Sequence, residues 1–459
     1  METNNLKNIL KEISKATKST REYINSIVDK DSFVETDTFL STRAFDDKEA
    51  LGEGVITGYA TFNGSPIQIF AQNIDVLKGS LSKAHAQKIE NTINRAINTR
   101  TPLISIIDSY GARVGDGVSL LEGYGKILSL ASDLNAVAPH IAIVKGAALG
   151  MMAAYVASAD FVLMAKDAVM SFNPPMYLVS DAKTFPIDYK KHIGFDAYDK
   201  NSDMVLDKFD SNDELINKLN KIFSVIYGAE ETDDDPNRVD PNLETMDAQK
   251  ALDVILDAGD KIEIGVNYAD EVKCVIARLN GICVGALATK GDYISKEGLE
   301  KAINFVNKVD MLSIPLVTLV DTKGLNATLS QEVAGYSKLA FKLIEAIANI
   351  CEPKIGVAYG NAIGYGYTAL MSKALGFGYT LATTNAKISP VAEEVSVAMM
   401  ADQLKTQDRN DNITKLSKEY AEMQENPILI AKEGYLDNVV EATNLRPYLA
   451  SALLMLEGM

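Results

Sequence analysis

The stretch 141–165, IAIVKGAALGMMAAYVASADFVLMA, decides how the rest of the chain is read. Residues 141–144 read as a short apolar strand and residues 161–164 as a second one. Between them the turn Gly146-Ala147-Ala148-Leu149-Gly150 leads into a helix of small residues over 151–158. Glycine at a strand-to-helix turn lets the backbone approach a ligand closely, and the first helical N–H groups have no intrahelical acceptor. Such donors, backed by the helix dipole, can hold a developing oxyanion. Tight helix–sheet packing explains a single turn of this kind at least as well.

The chain, however, does this twice. Residues 55–73 form two alternating runs around Asn63-Gly64, a strong hairpin signal, and a second such hairpin surrounds Asn280-Gly281. In each half a helix follows, then a strand that ends on an aspartate, Asp108 or Asp321, then a loop and a further helix. Strand 354–359, turn GNAIGYG, a helix beginning at Tyr367 and strand 379–384 then replay the opening stretch. Gly64 and Gly281 stand 217 residues apart, Asp108 and Asp321 213, Gly150 and Gly364 214. A steady long offset of this kind signals duplication. Each copy supplies a hairpin and then crossover helices between parallel strands, which predicts two α/β domains. The acidic, proline-bearing run 230–241, EETDDDPNRVDP, reads as a solvated linker between a domain at 1–235 and another at 236–459. Residues 185–213, rich in Asp, Lys and Asn, look less regular, and residues 1–30 read as one amphipathic helix with Leu6, Ile9, Leu10 and Ile13 on its apolar side.

A chain of 459 residues with 47% hydrophobic residues can bury a large core. Its net charge of −17 argues against nucleic acid as a partner but leaves room for an anionic small ligand. The three cysteines lack CxxC spacing, and no apolar leader opens METNNLKNILKEISK, so a soluble cytoplasmic protein is expected. The familiar catalytic devices are missing. The three histidines (His85, His140, His192) lie in no recognisable triad context, and there is no GxSxG elbow, Walker A loop or zinc-ligand spacing. Backbone stabilisation of an oxyanion is what remains.

In order, GEGVITGYATFNG, KGSLSKAHAQKI, DSYGARVGDGVSLLEGYGKI, GAALGMMAAYVASADFVLMAKDA, DTKGLNATLSQE and GYLDNVVEATNLRP resemble the carboxyltransferase (beta) subunits of biotin-dependent acyl-CoA carboxylases. The alpha subunit of methylmalonyl-CoA decarboxylase belongs to the same group, and the likeness runs from about residue 31 to 456. The resemblance implies two tandem crotonase-like (ClpP/crotonase) domains. It implies a coenzyme A thioester in the N-terminal domain and biotin, carried on a separate carrier protein, at the C-terminal one. Carried over by position, Gly150 and Met151 would hold the thioester enolate oxygen, and Tyr365 and Gly366 the biotin ureido oxygen. Ser109, Tyr110, Gly111, Ala112 and Arg113 would flank the acyl and pantetheine groups, with Gly146, Gly364 and Thr368 lining the two sites. No metal is implied, and no protein base is needed. The implied partners are a biotin carboxyl carrier protein, with a biotin carboxylase subunit or membrane decarboxylase subunits, around a homo-hexamer whose active sites lie between subunits.

This chain departs from the family pattern where Met151 and Tyr365 replace a second glycine, Tyr110 replaces a glycine of DSGGAR, and Thr368 replaces an acyl-pocket aspartate. Those substitutions keep open a non-catalytic paralogue that scaffolds a complex. A crotonase-type enzyme working without biotin would need an acid or base near the first turn, for which Glu122 is the nearest residue.

Overall fold

The structure is a computed structural model that describes residues 3–41, 52–178, 188–228, 234–392, 395 and 425–458. The chain divides into two compact units, Met1–Asn220 and Lys221–Met459. This division cuts through the helix Asn212–Tyr227 and precedes the expected boundary at 235/236. Over its described part the acidic run is anchored at Asp234, while Asp235, Pro236, Asn237 and Val239 are exposed. Asp234 pairs with Arg238 and with the buried Arg446, whose guanidinium also bonds Asp257 and the Asp235 carbonyl. Residues 230–233 lie outside the described residues.

The first unit is built on β1 (Val34–Thr36), β2 (Val55–Phe62), β3 (Ser65–Gln72), β4 (Leu103–Ser109), β5 (His140–Leu149), β6 (Phe161–Ala165), β7 (Val169–Ser171) and β8 (Asp207–Phe209). Its sheet order is β1-β2-β3-β4-β5-β6-β8, with β7 also pairing β5. The β1/β2 and β2/β3 pairs are antiparallel, and every later pair is parallel. The second unit repeats the plan with β9 (Ile262–Ile264), β10 (Val272–Leu279), β11 (Ile282–Thr289), β12 (Leu316–Thr322), β13 (Lys354–Ile363), β14 (Tyr379–Thr383), β15 (Lys387–Ser389) and β16 (Asn438–Val440). Its order is β16-β14-β13-β12-β11-β10-β9, with β15 pairing β13. In each unit two long helices, Lys83–Thr99 with Val118–Asn135 and Lys296–Met311 with Tyr336–Asn349, form the crossovers and pack on one another.

Local chemistry explains why both halves fold alike. Each hairpin turns on an Asn-Gly pair with positive φ at both residues (Asn63 50°, Gly64 76°; Asn280 54°, Gly281 81°), as a tight two-residue loop requires. A carboxylate accepts both turn amides: Asp29 in the first unit and Asp257 in the second. Ser82 and Ser295 cap the following helices, accepting from His85 N and Gly298 N. One turn into those helices, Lys88 and Lys301 are buried and donate to backbone carbonyls of Gly52 and Val55, and of Gly265 and Tyr268.

Three local expectations change. The N-terminal segment is two helices, Thr3–Ala16 and Lys18–Ile27, broken at Thr17, a buried residue whose hydroxyl turns back onto the Ile13 carbonyl. Residues 188–213 carry helices Tyr189–Ile193 and Phe195–Asn201 and the edge strand β8; residues 185–187 lie outside the described residues. Of the turn expected at 146–150, residues 146–149 continue β5, for the reason given below. Among the described residues no helix is long and apolar enough to cross a membrane.

Candidate functional site

In a parallel α/β sheet, ligands meet the loops at the carboxyl ends of the strands. At that edge of the first unit, β4 and β5 pair regularly up to Ile107↔Val144 and resume at Ser109↔Ala148. Two residues of β4 therefore face four of β5, a bulge that swings the end of β5 toward the turn. The carboxylate of Asp108 fills the gap and its Oδ1 accepts the Ala147 N–H at 3.2 Å. A Cβ at Gly146 would overlap that carboxylate, so glycine stands there for want of space. Beyond the bulge β5 pairs with β7, which is why these residues are strand rather than turn. The second unit has the same device. The β12/β13 pairing breaks between Val320 and Thr322, Asp321 Oδ1 accepts Asn361 N at 2.8 Å, and Gly360 leaves room for the carboxylate.

Each bulge delivers a glycine of positive φ, Gly150 (66°) and Gly364 (50°), followed by a short helix, Met151–Ala157 or Tyr365–Leu370. The glycine amides are already engaged: Gly150 N donates to Ser171 O at 2.9 Å, and Gly364 N to Ser389 O at 2.8 Å. The amides that follow, Met151 N and Tyr365 N, have no acceptor among the described residues. They are the first-turn donors a helix cannot satisfy itself. In the repeat Met151 matches Tyr365 and Met152 matches Gly366, and neither Met152 N nor Gly366 N has an acceptor among the described residues. A Cβ at Gly366 would strike the Thr322 methyl, so close packing on β12 accounts for that glycine.

The loop 109–113 borders the first turn but divides its labour. Tyr110 is 57% exposed, with Lys78 Nζ 6.0 Å from its ring centre, and Ala112 is also exposed. With Met151 and Phe172, Tyr110 surrounds the turn with exposed apolar surface. Ser109 is buried and its hydroxyl accepts Gly111 N, while Gly111 (φ 95°) lies against the Leu149 carbonyl. Arg113, expected beside the ligand, is buried. Its Nη1 bonds Glu53 Oε2 at 2.9 Å and its Nη2 bonds the Ser80 carbonyl at 3.0 Å, so it clamps the loop from behind. Burial alone would raise the Glu53 carboxyl, but bonds from Ser82, Ser41 and Arg113 outweigh it and hold the group below its usual value. His85 Nδ1 faces the Glu53 carbonyl at 2.9 Å, its Nε2 faces Gln72 Nε2 at 3.1 Å, and Gln72 Oε1 accepts Asp108 N. One buried network thus joins the loop clamp to the strand-end aspartate. Burial, then the charges of Arg113 and Lys88, push His85 down to about 3, which keeps the ring neutral. Glu122 is exposed on the helix Val118–Asn135.

The second turn opens on a cleft of about 580 Å³ lined by Leu325, Asn326, Tyr336, Phe341 and Tyr365 among others. Tyr365 spans its floor and donates its hydroxyl to the Ala340 carbonyl at 2.6 Å. Thr368 is exposed but turns back to the Gly364 carbonyl at 3.0 Å. Asp108 and Asp321 were legible in the sequence as strand-ending markers of the repeat, although nothing in their local context announced their carboxylates as part of the turns.

A carboxyl transferase domain model matches residues 11–458. The chain belongs to the carboxyl transferase domain family. It is similar to the methylmalonyl-CoA carboxyltransferase 12S subunit of Propionibacterium freudenreichii subsp. shermanii, 29% identical over 97% of this chain and 90% of that one. It is 27% identical to the methylmalonyl-CoA decarboxylase subunit alpha of Veillonella parvula, over 98% and 92%. Among solved structures it resembles transcarboxylase 12S, a hexamer with methylmalonyl-coenzyme A bound, at a TM-score of 0.88 and 27% identity over 98% and 92%. The two units are the tandem crotonase-like domains of this carboxyl transferase architecture, as the resemblance implied.

Proposed function

We infer that this carboxyl transferase moves a carboxyl group between biotin on a separate carrier and the α-carbon of a short acyl-CoA, of the methylmalonyl-CoA or propionyl-CoA kind. The observation that carries the reading is the duplicated turn: at the end of a bulged strand in each unit stand first-turn amides without an acceptor among the described residues, Met151 N and Met152 N after Gly150, Tyr365 N and Gly366 N after Gly364. A transfer between two carbonyl-bearing partners needs two such donors, because negative charge collects on the thioester oxygen in one partner and on the ureido oxygen in the other.

In the first unit, Met151 N–H would take the thioester oxygen, with Gly150 setting the bend and Tyr110, Met151 and Phe172 covering the acyl group. In the second unit, Tyr365 N–H would take the ureido oxygen. The cleft fits a small bicyclic ligand in size and in its lining of Phe341, Tyr336 and Leu325 with one amide, Asn326. Biotin supplies the ureido nitrogen that accepts or releases the carboxyl group. The chain's own part is to hold both oxygens and to keep the reacting pair in register. We further propose a homo-hexamer served by a biotin carboxyl carrier protein, together with a biotin carboxylase subunit or membrane decarboxylase subunits.

The test is decarboxylation of methylmalonyl-CoA or malonyl-CoA by the purified protein, with and without free biotin, following the acyl-CoA product by chromatography. Turnover that requires biotin is expected. Turnover that ignores biotin would refute the reading in favour of a crotonase-type reaction, and a folded oligomer that binds CoA thioesters without turnover would point to a scaffold.

A further inference from the structure

Asp108 and Asp321 occupy the same place in the two units and do the same unusual thing. A parallel ladder interrupted by two extra residues leaves an amide of the longer strand without its carbonyl partner, and a buried amide without a partner is costly. In both units the aspartate that closes the neighbouring strand supplies the missing acceptor through its side chain, to Ala147 N and to Asn361 N. Each aspartate is itself held from the strand before it: Asp108 N donates to Gln72 Oε1, and Asp321 N to Thr289 Oγ1 at 2.7 Å. The residues that hold them differ in kind, Gln against Thr, while the carboxylate and the facing glycine are the same in both units. The resumed strand segment is three residues long before the turn glycine in each case: 147–149 before Gly150, and 361–363 before Gly364. No flexible linker separates the carboxylate from the N–H that follows the glycine.

Taking the two turns as the acyl-CoA and biotin sites, we propose that Asp108 and Asp321 are positioning residues of the carboxyl transfer. Asp108 fixes the direction of the Met151 amide for the thioester half of the reaction, and Asp321 fixes that of the Tyr365 amide for the biotin half. Neither carboxylate touches substrate.

The test uses the full chain in the biotin-dependent decarboxylation assay, varying methylmalonyl-CoA and free biotin separately. Removing an oxyanion donor outright costs about a hundred- to a thousandfold, so mis-aiming one should lower kcat about ten- to a hundredfold. Asp108→Ala is expected to do this while raising the KM of the thioester alone, and Asp321→Ala while raising the KM of biotin alone. Asp108→Asn and Asp321→Asn keep an acceptor oxygen in place and should restore most of the loss. Should an alanine variant not fold, Gly146→Ala and Gly360→Ala push a methyl group into the same carboxylates and should reproduce the same split. A fall in kcat without the split between the two KM values, or asparagine variants no better than alanine, overturns the proposal while leaving the carboxyl-transfer reading intact. A wild-type protein with no biotin-dependent turnover overturns the reading itself, and the proposal with it.

Discussion

Glu53→Gln changes one atom in the buried network behind the first turn, and the second unit provides its control. The Glu53 side chain is fully buried and accepts Arg113 Nη1 at 2.9 Å, Ser82 Oγ at 2.9 Å and Ser41 Oγ at 2.9 Å. Neutralising it leaves the Arg113 guanidinium buried beside a carboxamide. Breaking a buried pair from one side costs about 3–5 kcal/mol. In the second unit the matching Glu271 accepts Ser295 N and Oγ, but Asn326 stands where Arg113 would be, and no salt bridge reaches Glu271 among the described residues. There the same change exchanges charged hydrogen bonds for neutral ones, at about 1 kcal/mol. Urea unfolding at pH 7 of Glu53→Gln and Glu271→Gln should therefore separate by about 2–4 kcal/mol. Adding Arg113→Met to Glu53→Gln should recover much of the loss, since replacing both partners removes the stranded charge. Because Arg113 anchors the loop that carries Tyr110, Glu53→Gln should also raise the KM of the CoA thioester, and Glu271→Gln should not. Equal costs at the two positions, or no recovery in the double variant, would refute the reasoning.

Met151→Pro removes the proposed donor at the first helical position, where proline is tolerated, so the fold should survive while biotin-dependent kcat falls about a hundred- to a thousandfold; Met151→Ala, which keeps the N–H, should stay within about tenfold of wild type. His85 and His140 are fully buried and pushed down to about 3, chiefly by burial. The unfolded chain therefore binds more protons than the fold between about pH 6.5 and 3, and their contribution, present above that window, is lost as pH falls through it. The loss runs at up to about 1.4 kcal/mol per pH unit for each histidine, falls wholly on the first unit because the second has no histidine, and is read as the pH dependence of urea unfolding in wild type and His140→Gln. Burial raises the Asp108 carboxyl above its usual range, against the opposing pull of Lys145 and Ala147 N–H. The folded state thus holds that proton more tightly, and stability is lost as pH rises through the window above the ordinary carboxylate value. Asp108→Asn should therefore raise Tm at pH 7 and lose the advantage in strong acid, where wild-type Asp108 is protonated too.

The parts of this molecule that were legible in the sequence are those whose causes are local. Asn-Gly pairs between alternating runs announced both hairpins, serines before the crossover helices became caps, and the constant offset exposed the duplication. What stayed hidden depends on partners far along the chain. The run GAALG reads as a turn because small residues carry no alternation; up to Leu149 it is strand because it pairs with β7 beyond the bulge that Asp108, 39 residues upstream of Ala147, fills. Arg113 looks like a ligand-facing cation until Glu53, 60 residues earlier, takes it inward. Asp234, in an acidic run that reads as solvated throughout, is held by the buried Arg446 more than 200 residues later. Charged side chains are ambiguous in this way: the same residue serves water, a ligand or a buried partner, and only the long-range pairing decides.

Duplication turns that ambiguity into an argument about chemistry. Two copies of one fold share mechanical needs, and several residues that build the common frame agree in kind between copies: Asp29 with Asp257, Glu53 with Glu271, Ser82 with Ser295, Lys88 with Lys301, Asp108 with Asp321, Gly146 with Gly360. The copies part in the loops and helix starts that border the turns. Tyr110 answers to Lys323, Arg113 to Asn326, Met151 to Tyr365. Arg113 is drawn into a buried clamp, while Asn326 lines an open cleft. A pair of sites serving two copies of one ligand has no reason to diverge there. The pattern calls for two different molecules held by one kind of backbone donor, which is what moving a carboxyl group between a thioester and biotin requires.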